Sequence, residues 1–274
     1  MTLTVEQLAQ YRNDGYTTVP HFFNEKEVAA MQAELRRLKD EGLLNNVARD
    51  GDGQTESATA VNLQICPIAP KSELFRSLGF AGKVVDAIRK LIGDPIVWQL
   101  DQIFLKPGRH GKGTSWHQDN AYFRINDRRQ GVGMWTAIHE ATVANGTMHV
   151  IPRGDGELLA HERDGGSNHH IKCVVDESLA VPIELPAGGV LFFNYAVPHC
   201  TKGNTTDRER AGLALHFLRE EAVVKPENKL AILTGKNTTH GVNEFGKDLR
   251  HEWERQVAQT RHFCGAGEAS LTPP

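Results

Sequence analysis

Thr114-Ser115-Trp116-His117-Gln118-Asp119-Asn120-Ala121-Tyr122-Phe123 is the stretch of this chain that decides its fold. It has a β-prone character, and at its centre stands a His-x-Asp triplet. Along a strand, side chains i and i+2 share a face, so His117 and Asp119 converge on one point while Gln118 faces away. An imidazole and a carboxylate projected together supply two ligands of a 2-His-1-carboxylate facial triad, the open-sided site of non-haem Fe(II) and dioxygen chemistry. One strand cannot present all three ligands to one octahedral face, so the third must be a distant histidine. His199 is the candidate, eighty residues beyond Asp119, in Val197-Pro198-His199-Cys200-Thr201 after the apolar run Val190-Leu191-Phe192-Phe193. Arg210 follows eleven residues later and opens the apolar run 211–218. A guanidinium at the buried end of such a run suits a dicarboxylate cosubstrate, held by a bidentate fork.

The triplet alone carries little weight. With thirteen histidines in the chain, a His-x-Asp arises by chance roughly once in a chain of this length. Its specificity comes from the strand context, the distant histidine and the trailing arginine.

Outward from the triplet, short β-prone runs recur at 96–105, 132–138, 147–151, 181–185, 190–193 and 212–218, separated by Gly, Pro and Asn turns. Upstream the pattern is helical. Thr4-Val5-Glu6-Gln7 reads as a capping box opening a helix to about Asn13. Asp14-Gly15 then turns the chain into the run 16–19, closed by Pro20. From Asn24, the apolar residues Val28, Met31, Leu35 and Leu38 recur at helical spacing, with Gly42 as the stop. Two further helical segments, 72–78 and 81–92, follow a polar loop over 45–60. Helices first and many short strands afterwards predict a mostly β fold with flanking helices. The expected form is a double-stranded β-helix (a cupin-like jelly roll) carrying an N-terminal helical layer.

One domain over 1–274 is expected: a helical layer to about 95, a β-core over 96–220 and a C-terminal extension over 221–274 holding a helix near 247–261. Residues 153–180, with Gly154, Gly156, Gly165 and Gly166, form a loop-like insertion of the length typical of active-site lids.

Composition excludes several classes. A 39% hydrophobic and 24% charged chain is of ordinary globular character, and a net charge of −3 leaves no basic footprint for nucleic acid. No apolar run approaches membrane-spanning length, and the N-terminus does not resemble a secretory signal. Four cysteines without a CxxC pair suggest reduced thiols and a cytoplasmic location. None of the His-Glu pairs at His139, His161 and His251 has a histidine three residues on, so the zinc-protease signature is absent. There is no GxGxxG after a strand, no Walker motif and no GxSxG elbow. His169-His170 with Cys173 lacks a second pair at finger spacing and reads as a polar lid loop. Trp135 stands equally for a core aromatic and for a wall of the site.

Three segments together resemble the phytanoyl-CoA dioxygenase-like family of Fe(II)/2-oxoglutarate oxygenases: Trp116-His117-Gln118-Asp119, Gly133-Met134-Trp135-Thr136-Ala137, and Ala144-Asn145-Gly146-Thr147-Met148-His149-Val150-Ile151-Pro152. His199-Cys200-Thr201 with Asn204 and Arg210, and the opening Asp14-Gly15-Tyr16, are similar to the same family. The likeness covers roughly residues 5–220. It implies that His117, Asp119 and His199 bind Fe(II) and that Arg210 pairs with the distal carboxylate of the cosubstrate 2-oxoglutarate. It also implies that Thr201, Trp135 and Gln102 contact that cosubstrate, and that O2 is the oxidant. Asp119 separates the chain from related halogenases, which carry a small residue there. The family's Pro-Gly-Ser-His is replaced by Pro152-Arg153-Gly154-Asp155. A lysine used by some members has no obvious counterpart, and Asn62 or Gln64 stands in its place.

The implied activity is hydroxylation of an unactivated C–H bond of a small organic molecule. A non-catalytic metal- or ligand-binding protein and a cupin-type isomerase or lyase are the alternatives. Lys106, Arg109 and Lys112 are at most a hint of the basic cluster that a CoA thioester needs.

Overall fold

The computed structural model describes residues 3–153, 157–224, 231–234 and 251–264. In chain order its elements are α1 (Val5–Asp14), β1 (Tyr16–Val19), α2 (Glu25–Asp40), β2 (Asn45–Asn46), β3 (Leu63–Ile65), α3 (Glu73–Leu78), α4 (Gly82–Ile92), β4 (Ile96–Lys106), β5 (Thr114–His117) and α5 (Asn120–Phe123). There follow β6 (Gly131–Ala137), β7 (Met148–Val150), β8 (His161–Arg163), β9 (Ile171–Cys173), β10 (Val181–Ile183), β11 (Val190–Asn194), β12 (His199–Thr201), β13 (Arg210–Arg219), β14 (Ala231–Ile232) and α6 (Glu252–Cys264).

The early helices begin where their caps require. Thr4 accepts from the Gln7 amide while Gln7 Oε1 accepts from the Thr4 amide, and Asn24 and Glu27 close the same reciprocal box on α2. Gly15 ends α1 in the left-handed region, at a φ of 81°. Its missing Cβ also leaves room for the Arg153 carbonyl and the Val197 side chain. Glu27 does more than cap: it pairs with Lys83 at 2.6 Å and accepts from Trp253 Nε1 at 2.8 Å, tying α6 to α2.

The strands form a jelly roll. A large antiparallel sheet runs β1-β11-β6-β13-β4-β3-β2, with β14 also on β4, and faces a smaller sheet ordered β10-β7-β12-β5. Period-two alternation sorts the side chains of the large sheet. On β13, Ala211, Leu213, Leu215 and Phe217 enter a core shared with Met31, Leu35, Leu38, Val84 and Ile88 of the helices. On the other face, Trp135, Leu191, Phe193 and Ala214 meet Met148, Val150 and Ile183 of the smaller sheet. Both faces of the large sheet are therefore covered, which is why its strands read as near-continuous apolar runs. The space between the sheets opens at one end into the cavity described below.

Several expectations are corrected. The strand predicted over 114–123 stops at His117; Tyr122 and Phe123 donate their amides to the Asp119 carbonyl and start the helical turn α5. Gln118 and Asn120 enforce that turn by spending their side chains on backbone outside it. The helical layer contributes β1, β2 and β3 to the large sheet, and the polar 45–60 loop begins with β2. The 153–180 insertion is not all loop: β8 and β9 form an antiparallel hairpin within it. Its Gly154 and Gly156 lie outside the described residues. The predicted C-terminal helix begins at Glu252, and positions 247–250, most of the 225–250 segment and the tail after 264 lie outside them too. No described helix is long and apolar enough to cross a membrane.

Candidate metal and cosubstrate site

The smaller sheet builds the centre of the site. Strands β5 and β12 are antiparallel neighbours with His199 directly opposite His117, which brings the two imidazoles to 4.2 Å between ring centroids. Asp119 reaches the same point by another route than the one its spacing predicts. The chain leaves β5 at His117, and Asp119, at φ −60° and ψ −31°, stands at the start of α5. Gln118 still faces away, and its burial shows why the turn is fixed. Its amide nitrogen donates to the Ala196 carbonyl at 2.6 Å and the Glu157 carbonyl at 2.9 Å, and its oxygen accepts from the Leu159 amide at 2.7 Å. Asn120 exchanges two hydrogen bonds with the backbone of Ile125.

The ligand atoms of His117, Asp119 and His199 all lie within 4.8 Å of one another, a spacing at which one metal ion could be held. Asp119 Oδ1 is 3.9 Å from His117 Nε2 and 3.6 Å from His199 Nε2. Each imidazole turns Nδ1 to a backbone carbonyl, His117 to Ser115 at 2.8 Å and His199 to Val197 at 3.1 Å. Those contacts place the proton on Nδ1 and leave the Nε2 lone pair toward Asp119. Burial, aided by the facing His199, pushes His117 down to about 3, and burial pushes His199 down to about 4. Both rings are therefore neutral at pH 7, the form that binds a metal.

Arg210 opens β13 and is 1% exposed. It donates Nη2 to the Gly146 carbonyl and lies 5.6 Å from the Trp135 ring centre, while its Nε has no hydrogen-bond partner among the described residues. Burial lowers it only to about 10, so it remains a cation at neutral pH. The nearby acids are engaged elsewhere: Glu209 pairs with Lys39 at 2.5 Å, and Asp207 with Arg109. A desolvated cation without a carboxylate is costly, and an incoming anion removes that cost.

One cavity of about 520 Å³ connects these groups, lined by the triad, Arg210, Trp135, Thr201 and Gln102. The structure thus brings every site residue expected from the sequence to one place. Gly212 is what lets the indole lie flat there, since a Cβ on it would overlap Trp135. Thr201 Oγ1 accepts from the Thr114 amide at 2.9 Å, and Gln102 Oε1 accepts from Gln64 Nε2 at 2.9 Å. Of the two stand-ins weighed for the family's lysine, Gln64 lines the cavity and Asn62 does not.

Two further cavity residues are not among those expected there: Lys106, read only as part of a basic cluster, and His216. Lys106, directly opposite Arg210 in register, is 1% exposed and donates Nζ to the carbonyls of Lys202 at 2.5 Å and Gly146 at 3.3 Å. Burial, with Arg210 beside it, holds its ammonium well below the usual lysine range. His216, also on β13, puts Nδ1 3.5 Å from Asp119 Oδ2. Both carried a usable signal: 102, 104 and 106 alternate with the apolar positions of β4, as do 210, 214 and 216 on β13. The three basic residues hinted at for CoA have separate engagements: Lys106 lines the cavity, Arg109 is bound to Asp207 and Lys112 donates to the Gly166 carbonyl at 3.0 Å. The β8–β9 hairpin leans on the site. Asp164 accepts from Ser115 Oγ at 2.8 Å, Tyr122 Oη from the Ile171 amide at 3.0 Å, and His161 Nε2 from the Gln118 amide at 3.1 Å. His169 and His170 line the cavity, with His170 packed on Phe104, so they serve as wall.

Comparison with known proteins identifies the family and the fold. A family model described as phytanoyl-CoA dioxygenase matches residues 11–212. Ectoine dioxygenase from Stutzerimonas stutzeri is 24% identical over 230 residues, covering 77% of this chain and 75% of that protein. A probable phytanoyl-CoA dioxygenase from Caenorhabditis elegans is 27% identical over 247 residues, covering 80% and 76%. Among solved structures, EctD from S. alaskensis with 2-oxoglutarate and 5-hydroxyectoine superposes with a TM-score of 0.64 at 22% identity, covering 90% of this chain and 86% of that one. The epimerase SnoN from nogalamycin biosynthesis, in complex with Fe3+, α-ketoglutarate and nogalamycin RO, does so at 0.66 and 19%, covering 85% and 96%. With a family model spanning well over half its length, the chain belongs to the phytanoyl-CoA dioxygenase family, whose members are Fe(II)- and 2-oxoglutarate-dependent dioxygenases.

Proposed function

We propose that this chain hydroxylates an unactivated C–H bond of a small organic molecule, consuming O2 and 2-oxoglutarate and releasing succinate and carbon dioxide. His117, Asp119 and His199 would hold Fe(II), and Arg210 the distal carboxylate of 2-oxoglutarate, with Thr201, Trp135 and Gln102 along its length. When bound, iron and 2-oxoglutarate supply the dioxygen activation that an unactivated C–H bond demands. The residues of the chain position and neutralise. Two neutral imidazoles and one carboxylate leave Fe(II) one net positive charge, which favours a chelating 2-oxo acid anion. Arg210 fixes the other end of that anion through a planar fork already stripped of water.

The observation that carries this proposal is a buried cation without a carboxylate partner facing the same cavity as a two-imidazole, one-carboxylate cluster. Room remains beyond the cosubstrate positions, beside Gln64, Gln99, Tyr122 and His170. With Leu100, Phe104, Phe123 and Leu218 also lining it, that wall is mainly apolar with a few uncharged polar groups, which suits a small, largely uncharged substrate. The unpaired thiols of Cys66, Cys173 and Cys200 support a reducing, cytoplasmic setting. The test is succinate formation from 2-oxoglutarate, with and without added Fe(II), across a panel of amino acids, amines, acyl-CoA esters and natural-product scaffolds. Iron-dependent succinate with a product heavier by one oxygen is expected. Metal-dependent turnover that needs no 2-oxoglutarate would replace this assignment with an isomerase or lyase, and metal binding without turnover would replace it with a binding protein.

A further inference from the structure

We propose that His216 is a positioning residue for the metal-binding carboxylate: it donates Nδ1–H to Asp119 Oδ2 and so reserves Oδ1 for the metal. The inference rests on the metal site proposed above and goes beyond the three ligands themselves. Asp119 is 5% exposed and its two oxygens differ in surroundings. Oδ1 faces the Nε2 atoms of both ligand histidines, at 3.9 Å and 3.6 Å. Oδ2 lies on the other side, 3.5 Å from His216 Nδ1, and has no hydrogen-bond partner among the described residues. His216 is 3% exposed, and both of its ring nitrogens are likewise unpartnered among those residues. A buried acceptor and a buried donor, each unsatisfied and facing one another, are the groups that a small closure would pair.

The ring has little freedom to look elsewhere. Phe123 lies 5.3 Å and Tyr195 5.9 Å from it, centroid to centroid, and β13 fixes its backbone between β4 and β6. Nor does His216 join the triad as a fourth ligand, since the cluster able to hold an ion comprises His117, Asp119 and His199 alone among the described residues. A carboxylate left free on both oxygens can bind a metal through either or both, taking up coordination positions that cosubstrate and dioxygen need. One hydrogen bond to Oδ2 prevents this, and loss of such an outer contact typically costs about ten- to a hundredfold in metal affinity.

The test uses Co(II) alone as the probe, added to the metal-free full-length protein, with Kd and the visible d–d spectrum as readouts. His216→Leu and His216→Phe bracket the volume of the ring without a donor. His216→Asn keeps an amide N–H close to where Nδ1 stands. Expected are a roughly tenfold or greater loss of Co(II) affinity and a shifted spectrum in the apolar variants, with affinity and spectrum recovered in His216→Asn. Thermal melts of the metal-free proteins check that each variant is folded, and if both apolar variants fail to fold, the spectrum of His216→Asn against the parent decides. Parental affinity and spectrum in a folded apolar variant would overturn the inference, as would a His216→Asn protein as impaired as the apolar ones. A parent protein that takes up no Co(II) would overturn the metal assignment itself, an outcome distinguishable from failure of the His216 contact alone.

Discussion

Replacing Arg210 by alanine tests the cosubstrate assignment most directly. In the cosubstrate-free protein the guanidinium is already desolvated, 1% exposed, with one donor on the Gly146 carbonyl and Trp135 at 5.6 Å. An arriving carboxylate therefore meets a cation whose dehydration has been completed on folding, and the contact takes the upper end of a charge-assisted hydrogen bond, about 3 kcal/mol. Arg210→Ala should accordingly weaken 2-oxoglutarate binding by roughly a hundredfold. Binding should not vanish, because a bound Fe(II) still favours chelation by the 2-oxo acid end of the anion. Arg210→Lys should fall between, a point charge replacing a planar fork. The assay is an anaerobic titration of the Fe(II)-loaded protein with 2-oxoglutarate, read from the visible charge-transfer band of the complex. Fe(II) affinity without cosubstrate should stay within about twofold of the parent. Metal-free Arg210→Met should melt no lower than the parent, since an apolar side chain in place of an unpaired buried charge is neutral or stabilising. A cosubstrate Kd unchanged in Arg210→Ala would refute the assignment and leave this arginine a purely structural cation.

His117→Ala, Asp119→Ala and His199→Ala should each abolish Fe(II)-dependent turnover while the protein stays folded, because a three-ligand site has no spare. Isothermal titration with Fe(II) or an inert surrogate checks this, and parental affinity in any one of them removes that residue from the triad. Metal-free protein should lose stability as the pH falls below the unfolded-state histidine value of about 6.5. His117, His199 and His170 are pushed by burial to about 3, 4 and 2, so the unfolded chain takes up their protons first, at about 1 kcal/mol per histidine per pH unit. Asp101, raised to about 6 by burial, works in the opposite direction and offsets part of this between pH 6 and its unfolded-state value of about 4. Urea unfolding at pH 7.5 and 5.5 measures the difference, and equal midpoints would count against neutral buried imidazoles. Gln118→Leu should destabilise by about 3 kcal/mol through three lost hydrogen bonds to backbone, read as a lower urea midpoint with an unchanged slope.

Much of the fold was legible because its signals are local. The capping boxes at Thr4 and Asn24, Gly15 after α1 and the helical spacing of Met31, Leu35 and Leu38 each act within a turn or two, and the elements begin and end where those residues require. The strands β4, β6, β11 and β13 were visible as apolar runs because the large sheet is covered on both faces. The elements that escaped, β2, β3, β8, β9, β12 and β14, are two or three residues long. Strands that short exist through partners elsewhere in the chain, and no window of sequence contains the partner. His199 shows the contrast: its strand was invisible, yet its place after an apolar run, between Asp119 and Arg210, was enough to select it.

Asp119 stands beside the two imidazoles, as expected, but strand alternation explains only half of how it gets there. Alternation along a strand does set Gln118 opposite to His117, but the chain turns before Asp119. What aims the carboxylate is α5, held by Gln118 and Asn120 through contacts with Ala196, Glu157, Leu159 and Ile125. Those partners are five to seventy-eight residues away, so spacing could place Asp119 near the two imidazoles without showing how it gets there. Lys106 and His216 are the converse case. Each lay in plain view on a predicted strand or at its end, at even spacing from a residue already chosen. In sequence Lys106 reads as one of a basic cluster and His216 as one member of an apolar run, and only the packing of two sheets shows both to be buried. A charged or titratable side chain becomes informative once its surroundings are known to exclude water. Burial is a property of the assembled sheets, and it separates Lys106, 1% exposed beside Arg210, from Arg109 three residues on, fully solvated on Asp207.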